Sequence, residues 1–171
     1  LPVQGFCQGA QPVVGFNFGA QKLARVRQAF KIMLAVSMGV TTVVVGAVEI
    51  APQLFLGLFS SDAGLIALGT APLRIYMLGY FFMGAQLACQ QTFLGLGEAR
   101  ISMFIALLRK VILLLPLSLV IPRVFGALGL SQLLGLYLAE PISDIVSAST
   151  CTILFFVIEW KKLKDSPRTA Q

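Results

Sequence analysis

Residues 32–58 read IMLAVSMGVTTVVVGAVEIAPQLFLGL. No charged side chain interrupts the run before Glu49, and Glu49 and Pro52 mark its far end. A helix rises about 1.5 Å per residue and the hydrocarbon core of a bilayer is about 30 Å thick, so about 20 apolar residues cross it. This run is long enough. It lacks the strict alternation of a barrel strand, and an open sheet would leave backbone groups unpaired in lipid. The reading is a membrane-spanning helix.

Four more runs of similar character lie around it, at 1–20, 72–96, 101–120 and 132–158. Together they predict an all-α integral membrane protein, a bundle of about five transmembrane helices over residues 1–160 with a basic tail at 161–171. The composition agrees: 57% of the 171 residues are hydrophobic and 12% are charged, against about 45–50% and about 25% for a soluble domain. Histidine is absent, which excludes Ser-His triads, His-bearing zinc sites and a histidine proton switch. Cys7, Cys89 and Cys151 stand in separate apolar stretches without a CxxC pair and read as small core residues, not as metal ligands or a disulfide framework.

The basic residues alternate with the runs. Lys22, Arg25, Arg27 and Lys31 fill the first link, Arg100 the third, and Lys161, Lys162, Lys164 and Arg168 follow the last run. The other links hold little: Asp62 and Arg74 in one, Arg123 in the other. The positive-inside rule then places the basic links and the C-terminus in the cytoplasm, in a bacterial inner membrane. The net charge of +6 is therefore a topological signal and not a nucleic-acid stripe. With this orientation the first run enters from outside, as expected if an odd number of spans precedes it. The link at 21–31 (QKLARVRQAFK) has Leu23, Val26 and Phe30 at helical spacing and is expected to lie at the inner interface. Ser60-Ser61-Asp62 is expected to cap a short outer helix before the third run, and Gly126 and Gly129 to form an outer turn.

Charges at mid-membrane cost about 2.5–3.5 kcal/mol each on insertion scales. Arg109, Lys110, Glu140 and Asp144 fall near the bilayer centre by helical rise. Glu140 and Asp144 are spaced i, i+4 and share a face; Arg109 and Lys110 are about 100° apart, so one of them is expected to face the same interior. The group reads either as an acidic site for a cation or proton or as a structural ion pair. Pro116 and Pro141 interrupt the hydrogen bonding of the fourth and fifth runs. Gln4, Gln8 and Gln11 share a face of the first run, and Gln86 and Gln90 a face of the third; each set lines an aqueous path or bonds to neighbouring helices. Gly5/Gly9 and Gly15/Gly19 fit small-xxx-small packing. Tyr76, Tyr80, Phe81 and Phe82 are belt or packing residues, or a surface for an apolar cation.

The string QGAQPVVGFNFGAQKLARVRQA at 8–29 resembles the glycine-rich helix and basic loop of the multidrug and toxic compound extrusion (MATE) family. LFSSDAGLIALGTAPLRIY (58–76), GAQLACQQTFLGLGEARIS (84–102), LLRKVILLLPLSLVIPRVFGALGL (107–130) and AEPISDIVSA (139–148) are similar, in order, to its later spans. The resemblance implies spans eight to twelve of a twelve-helix, two-lobe fold, with an N-terminal lobe as partner. It implies export of organic cations, often drugs, in exchange for protons or sodium ions by alternating access, with no other cofactor. By the same resemblance Gln8, Gln11, Asn17, Gln86 and Gln90 are candidates to line the path; coupling rests either on the N-terminal lobe or on the charged group read above from depth and spacing, Arg109, Glu140 and Asp144. The span at 76–96 has no acid, which departs from members that carry one there. Alternatives of other kinds are a flippase of lipid-linked precursors or polysaccharides from the same superfamily, and a membrane subunit that transports nothing. An intramembrane enzyme is disfavoured, because no metal motif, Ser dyad or second buried aspartate is present.

Overall fold

The computed structural model describes residues 2–129, 132–160 and 163, and its elements are helices joined by short turns. They are α1 (Pro2–Gly19), α2 (Leu23–Ile50), α3 (Pro52–Gly57), α4 (Ala63–Gly95), α5 (Ala99–Leu107), α6 (Leu115–Ala127) and α7 (Gln132–Leu154). A π-helical stretch, Leu108–Leu114, joins α5 to α6, and another, Phe155–Trp160, extends α7. Lys161, Lys162, Lys164 and Arg168, on which the expected tail rests, lie outside the described residues.

Among the described residues four helical spans are long and apolar enough to cross a membrane: Leu23–Ile50, Ala63–Gly95, Ala99–Ala127 and Gly135–Trp160. They account for the second to fifth expected runs. α1 is helical as expected but is not among the four, because its glutamines, glycines and Pro12 dilute its apolar residues. It packs instead against α2 and α4 through Val3, Cys7, Val14 and Asn17.

Three boundaries differ from expectation, each for a local reason. First, the link from Leu23 onward and the run at 32–58 form one helix. α1 closes with Gln21 at φ 57°, with Lys22 N–H donating to Asn17 O at 2.9 Å and Gln21 N–H to Phe18 O at 2.9 Å, the paired bonds of a Schellman cap. From Leu23 onward no glycine or proline occurs until Gly39. Val26, Phe30, Met33, Ser37, Thr41, Val45 and Val48 then form one buried stripe along α2, so a single helix serves link and span. Second, the run at 32–58 stops at Ile50, because Pro52 occupies the first turn of α3, where a missing N–H costs nothing. Third, Asp62 does cap a helix, its Oδ1 accepting from Gly64 N–H at 2.8 Å. That helix is the whole of α4, continuing through Pro72. Gly97 at φ +83° ends α4, with Glu98 N–H on Phe93 O at 2.9 Å. The outer turn expected at Gly126 and Gly129 is present: Gly129 N–H donates to Gly126 O at 3.1 Å.

α4 is the spine, in contact with α7, α2 and α1, and α6 lies along α7. The apolar core gathers Val14, Phe30, Met33, Phe93, Ile105 and Phe155, with Phe30 and Phe155 stacked at 4.2 Å between centroids. Glycines set the closest crossings. A Cβ on Gly79 would stand 2.6 Å from Pro141 Cα, one on Gly84 2.6 Å from Thr41 Oγ1, and one on Gly95 2.8 Å from Val14 Cγ1. These are the close approaches that small residues permit between membrane helices. The expected pairs on α1 are not among them: Gly5, Gly9 and Gly19 have nothing within 4 Å, and Gly15 alone meets a neighbour, Gly95 O at 3.2 Å. The glycine–glutamine face of α1 points away from this bundle.

Hydroxyls are satisfied locally. Thr41, Thr70, Thr92, Thr150 and Thr152 each donate to the carbonyl four residues earlier, at 2.7–2.9 Å. Cys7, Cys89 and Cys151 are free and fully buried; Cys7 Sγ lies 3.0 Å from Ser37 Oγ.

Candidate functional site

The intramembrane charges meet where the first π-helical stretch faces α7. Pro116 has no N–H for the carbonyl four residues before it, and the backbone widens into π form at Leu108–Leu114, just upstream. Such wide turns occur inside helices often at functional sites. Arg109 sits at the start of the stretch. Its Nε donates to Asp144 Oδ1 at 2.6 Å, with the side chains 18% and 5% exposed. The Arg109 carbonyl accepts from Ser143 Oγ at 2.8 Å, so α7 holds this residue by backbone and side chain together. Lys110 is exposed. The expectation that one of the two cations faces inward is met by Arg109.

Glu140 is one turn before Asp144, half-buried. Among the described residues the ion pairs are Arg109–Asp144 and Arg74–Glu49, and neither includes Glu140. Across from it on α4, Tyr76 lies within electrostatic reach of Glu140, Asp144, Arg109 and Tyr80. Gly79 lets α4 come this close, its missing Cβ leaving room for Pro141 and for Asp144 Cβ. The cluster of Arg109, Glu140 and Asp144 thus carries one formal negative charge.

A polar seam continues along α4 and α7. Gln86 Nε2 donates to Ser147 Oγ at 3.0 Å, and Cys151 Sγ to Gln86 O at 3.8 Å. Gln86 Oε1 is buried and without a hydrogen-bond partner. Gln90 Nε2 reaches Ser102 O at 3.3 Å, and Asn17 Nδ2 reaches Val13 O at 2.8 Å within its own helix. Gln8 is exposed and Gln11 half-buried on α1. The eight candidates therefore divide. Arg109, Glu140, Asp144 and Gln86 share the α4–α7 seam; Gln90 and Asn17 bond to backbone carbonyls; Gln8 and Gln11 stand apart on the outer face of α1. Sequence reading missed Ser143, Ser147 and Gly79, whose chemistry is ordinary and whose role lies in their neighbours. It also missed the Arg74–Glu49 pair, Nε to Oε2 at 3.6 Å, which ties α4 to the end of α2.

The MatE family model matches residues 1–120. The chain belongs to the MATE family. Its likeness to solved MATE transporters extends to the fold: the structure of the MATE multidrug transporter DinF-BH superposes with a TM-score of 0.82 at 28% identity, over 92% of this chain and 34% of that one. The inward-facing conformation of a MATE multidrug resistance transporter gives a TM-score of 0.80 at 16% identity, over 99% of this chain and 38% of that one, which shows the fold alone. Multidrug export protein MepA of Staphylococcus saprophyticus is 25% identical over 158 residues, and MepA of Staphylococcus aureus 27% over 148. These matches cover 92% and 86% of this chain, which spans about a third of the length of either relative. MATE proteins are multi-pass membrane transporters, not enzymes, and the apolar helices of this chain are those of such a protein.

Proposed function

We propose that residues 1–160 are spans eight to twelve, the C-terminal lobe, of a twelve-helix secondary active exporter. It extrudes organic cations in exchange for protons or sodium ions by alternating access, with residues 161–171 a cytoplasmic tail and the bacterial inner membrane as its site. MATE membership carries this reading, and the multidrug export relatives support the substrate class. Glu140 supports coupling in this half. Arg109 neutralises Asp144, which leaves one half-buried carboxylate whose charge a proton, a sodium ion or an organic cation can balance in turn. Mutually exclusive occupancy of one carboxylate is the simplest physical basis for exchange. Gln8 and Gln11, polar residues on the outer face of α1, are proposed to line the path against the other lobe. Gln86, with a spare buried acceptor, is proposed to extend it inward, while Asn17 and Gln90 shape its wall.

The test uses the full-length protein carrying the seven preceding spans, in everted vesicles under an imposed proton or sodium gradient, with ethidium as substrate. Gradient-driven uptake is expected for the wild type and a loss of at least about tenfold for Glu140→Gln. Asp144→Asn is expected to lose as much, because Arg109 then turns its charge on Glu140. Uptake unchanged by Glu140→Gln would move coupling to the other lobe. No uptake by inserted wild-type protein under either gradient would overturn the exporter reading in favour of a flippase.

A further inference from the structure

A second polar site lies at the opposite end of α7, remote from the charge cluster. There the N-terminal part of α2 and the end of the α7 rod enclose an open hollow of about 260 Å³ lined by Ala24, Arg27, Gln28, Lys31 and Trp160. Ala24, Arg27, Gln28 and Lys31 are spaced i, i+3, i+4, i+7 and so form one face of α2. Trp160 is seated by its neighbours: its ring lies 5.8 Å from Phe30 and 5.7 Å from Phe156 between centroids. It terminates the π-helical stretch Phe155–Trp160. No acid is among the lining residues, and neither Arg27 nor Lys31 has an ion-pair partner among the described residues.

We propose that this hollow binds the phosphate headgroup of an anionic phospholipid. A guanidinium fork and an ammonium four residues apart suit a phosphate, which accepts paired hydrogen bonds from the first and a point charge from the second. A tryptophan beside them is the side chain of a membrane–water interface. The surface next to the hollow selects a lipid over a soluble anion. Ile153 and Phe156, seven and four residues before Trp160 and so on its side of the α7 rod, are 62% and 41% exposed. An acyl chain leaving the headgroup site has this apolar surface to lie on. Basic pockets between membrane helices at the interface are a general headgroup-binding arrangement.

Trp160 is the only tryptophan among residues 1–171, so once any tryptophan of the preceding spans is replaced by phenylalanine its fluorescence reports on the hollow alone. The purified full-length protein in dodecyl maltoside is titrated with phosphatidylglycerol, with phosphatidylcholine and with inorganic phosphate. A saturable change in Trp160 emission is expected with phosphatidylglycerol only. Arg27→Gln/Lys31→Gln is expected to raise the half-saturation point at least about tenfold, while Arg25→Gln, which does not line the hollow, leaves it within about twofold. Circular dichroism of each variant establishes that the helices are intact. An equal response to phosphatidylcholine, or an unchanged half-point in the double variant, would overturn the proposal. A saturable response to inorganic phosphate of the same size would overturn it too, assigning the site to a soluble anion instead.

Discussion

Arg109→Ala is expected to destabilise the chain by about 3–5 kcal/mol, the usual cost of removing one partner from a buried ion pair. The asymmetry of the pair explains why the arginine side is the sensitive one. Asp144 is held at 5% side-chain exposure on a short stem between α4 and the Arg109 backbone, and it has no route to water. Arg109 is at 18% on a long stem, so Asp144→Asn is expected to cost less, because the freed guanidinium can turn to Glu140, one helical turn away. Replacing both groups with apolar residues of similar volume, as Arg109→Met/Asp144→Leu, is expected to recover most of the loss. Thermal or detergent unfolding followed by circular dichroism reads all three. Arg109→Ala within about 1 kcal/mol of wild type would mean that water reaches the pair, an outcome at odds with the burial of Asp144.

Gly79→Ala is expected to cost about 1–3 kcal/mol through overpacking. The added Cβ would meet Pro141 Cα at 2.6 Å and Pro141 Cβ at 2.8 Å. A flexible side chain would move aside, but here the obstacle is the backbone and ring of α7, so the two helices must separate. Separation also loosens the Tyr76 side of the charge cluster. Gly9→Ala supplies the contrast. With nothing within 4 Å of its Cβ position, the substitution should stabilise the isolated chain by up to about 1 kcal/mol, the helix propensity difference. Equal unfolding midpoints for the two alanine variants would show that α4 and α7 do not cross as tightly as described.

What the sequence makes legible is whatever a long-range energy dictates. Runs of apolar residues must leave water, so the helices of the bundle are readable from 32–58 outward. A charge inside such a run needs an opposite charge, so the Arg109–Asp144 meeting is foreshadowed by depth alone. The ends of helices are less legible, because they rest on balances of about 1 kcal/mol. At 21–31 amphipathic spacing suggests a surface helix, yet the same residues extend the buried stripe of α2 without a breaker. Pro72 suggests a boundary, yet the bond it forfeits is to the carbonyl of Leu68, 76% exposed, and α4 passes through. Of the glutamines, no property of Gln86 itself distinguishes it from Gln8. One faces Ser147 and the other faces outward because of how α1 and α4 are rotated in the bundle, and a single chain's periodicity does not fix that rotation. Gln21 is the clearest case of a local rule overridden: a left-handed turn usually filled by glycine holds a side chain here.

The burial of the three cysteines makes the chain opaque to thiol chemistry from outside. Each of the three sulfurs is enclosed, Cys7 against Ser37 and Cys151 over the Gln86 carbonyl, so a maleimide added to intact membranes finds none of them. A cysteine introduced at Gln8, Lys110 or Arg27 would then report its own surroundings with no signal from these three. The three readings would separate the outer face of α1, the exposed side of the π-helical stretch and the basic hollow, without first removing any residue from the core.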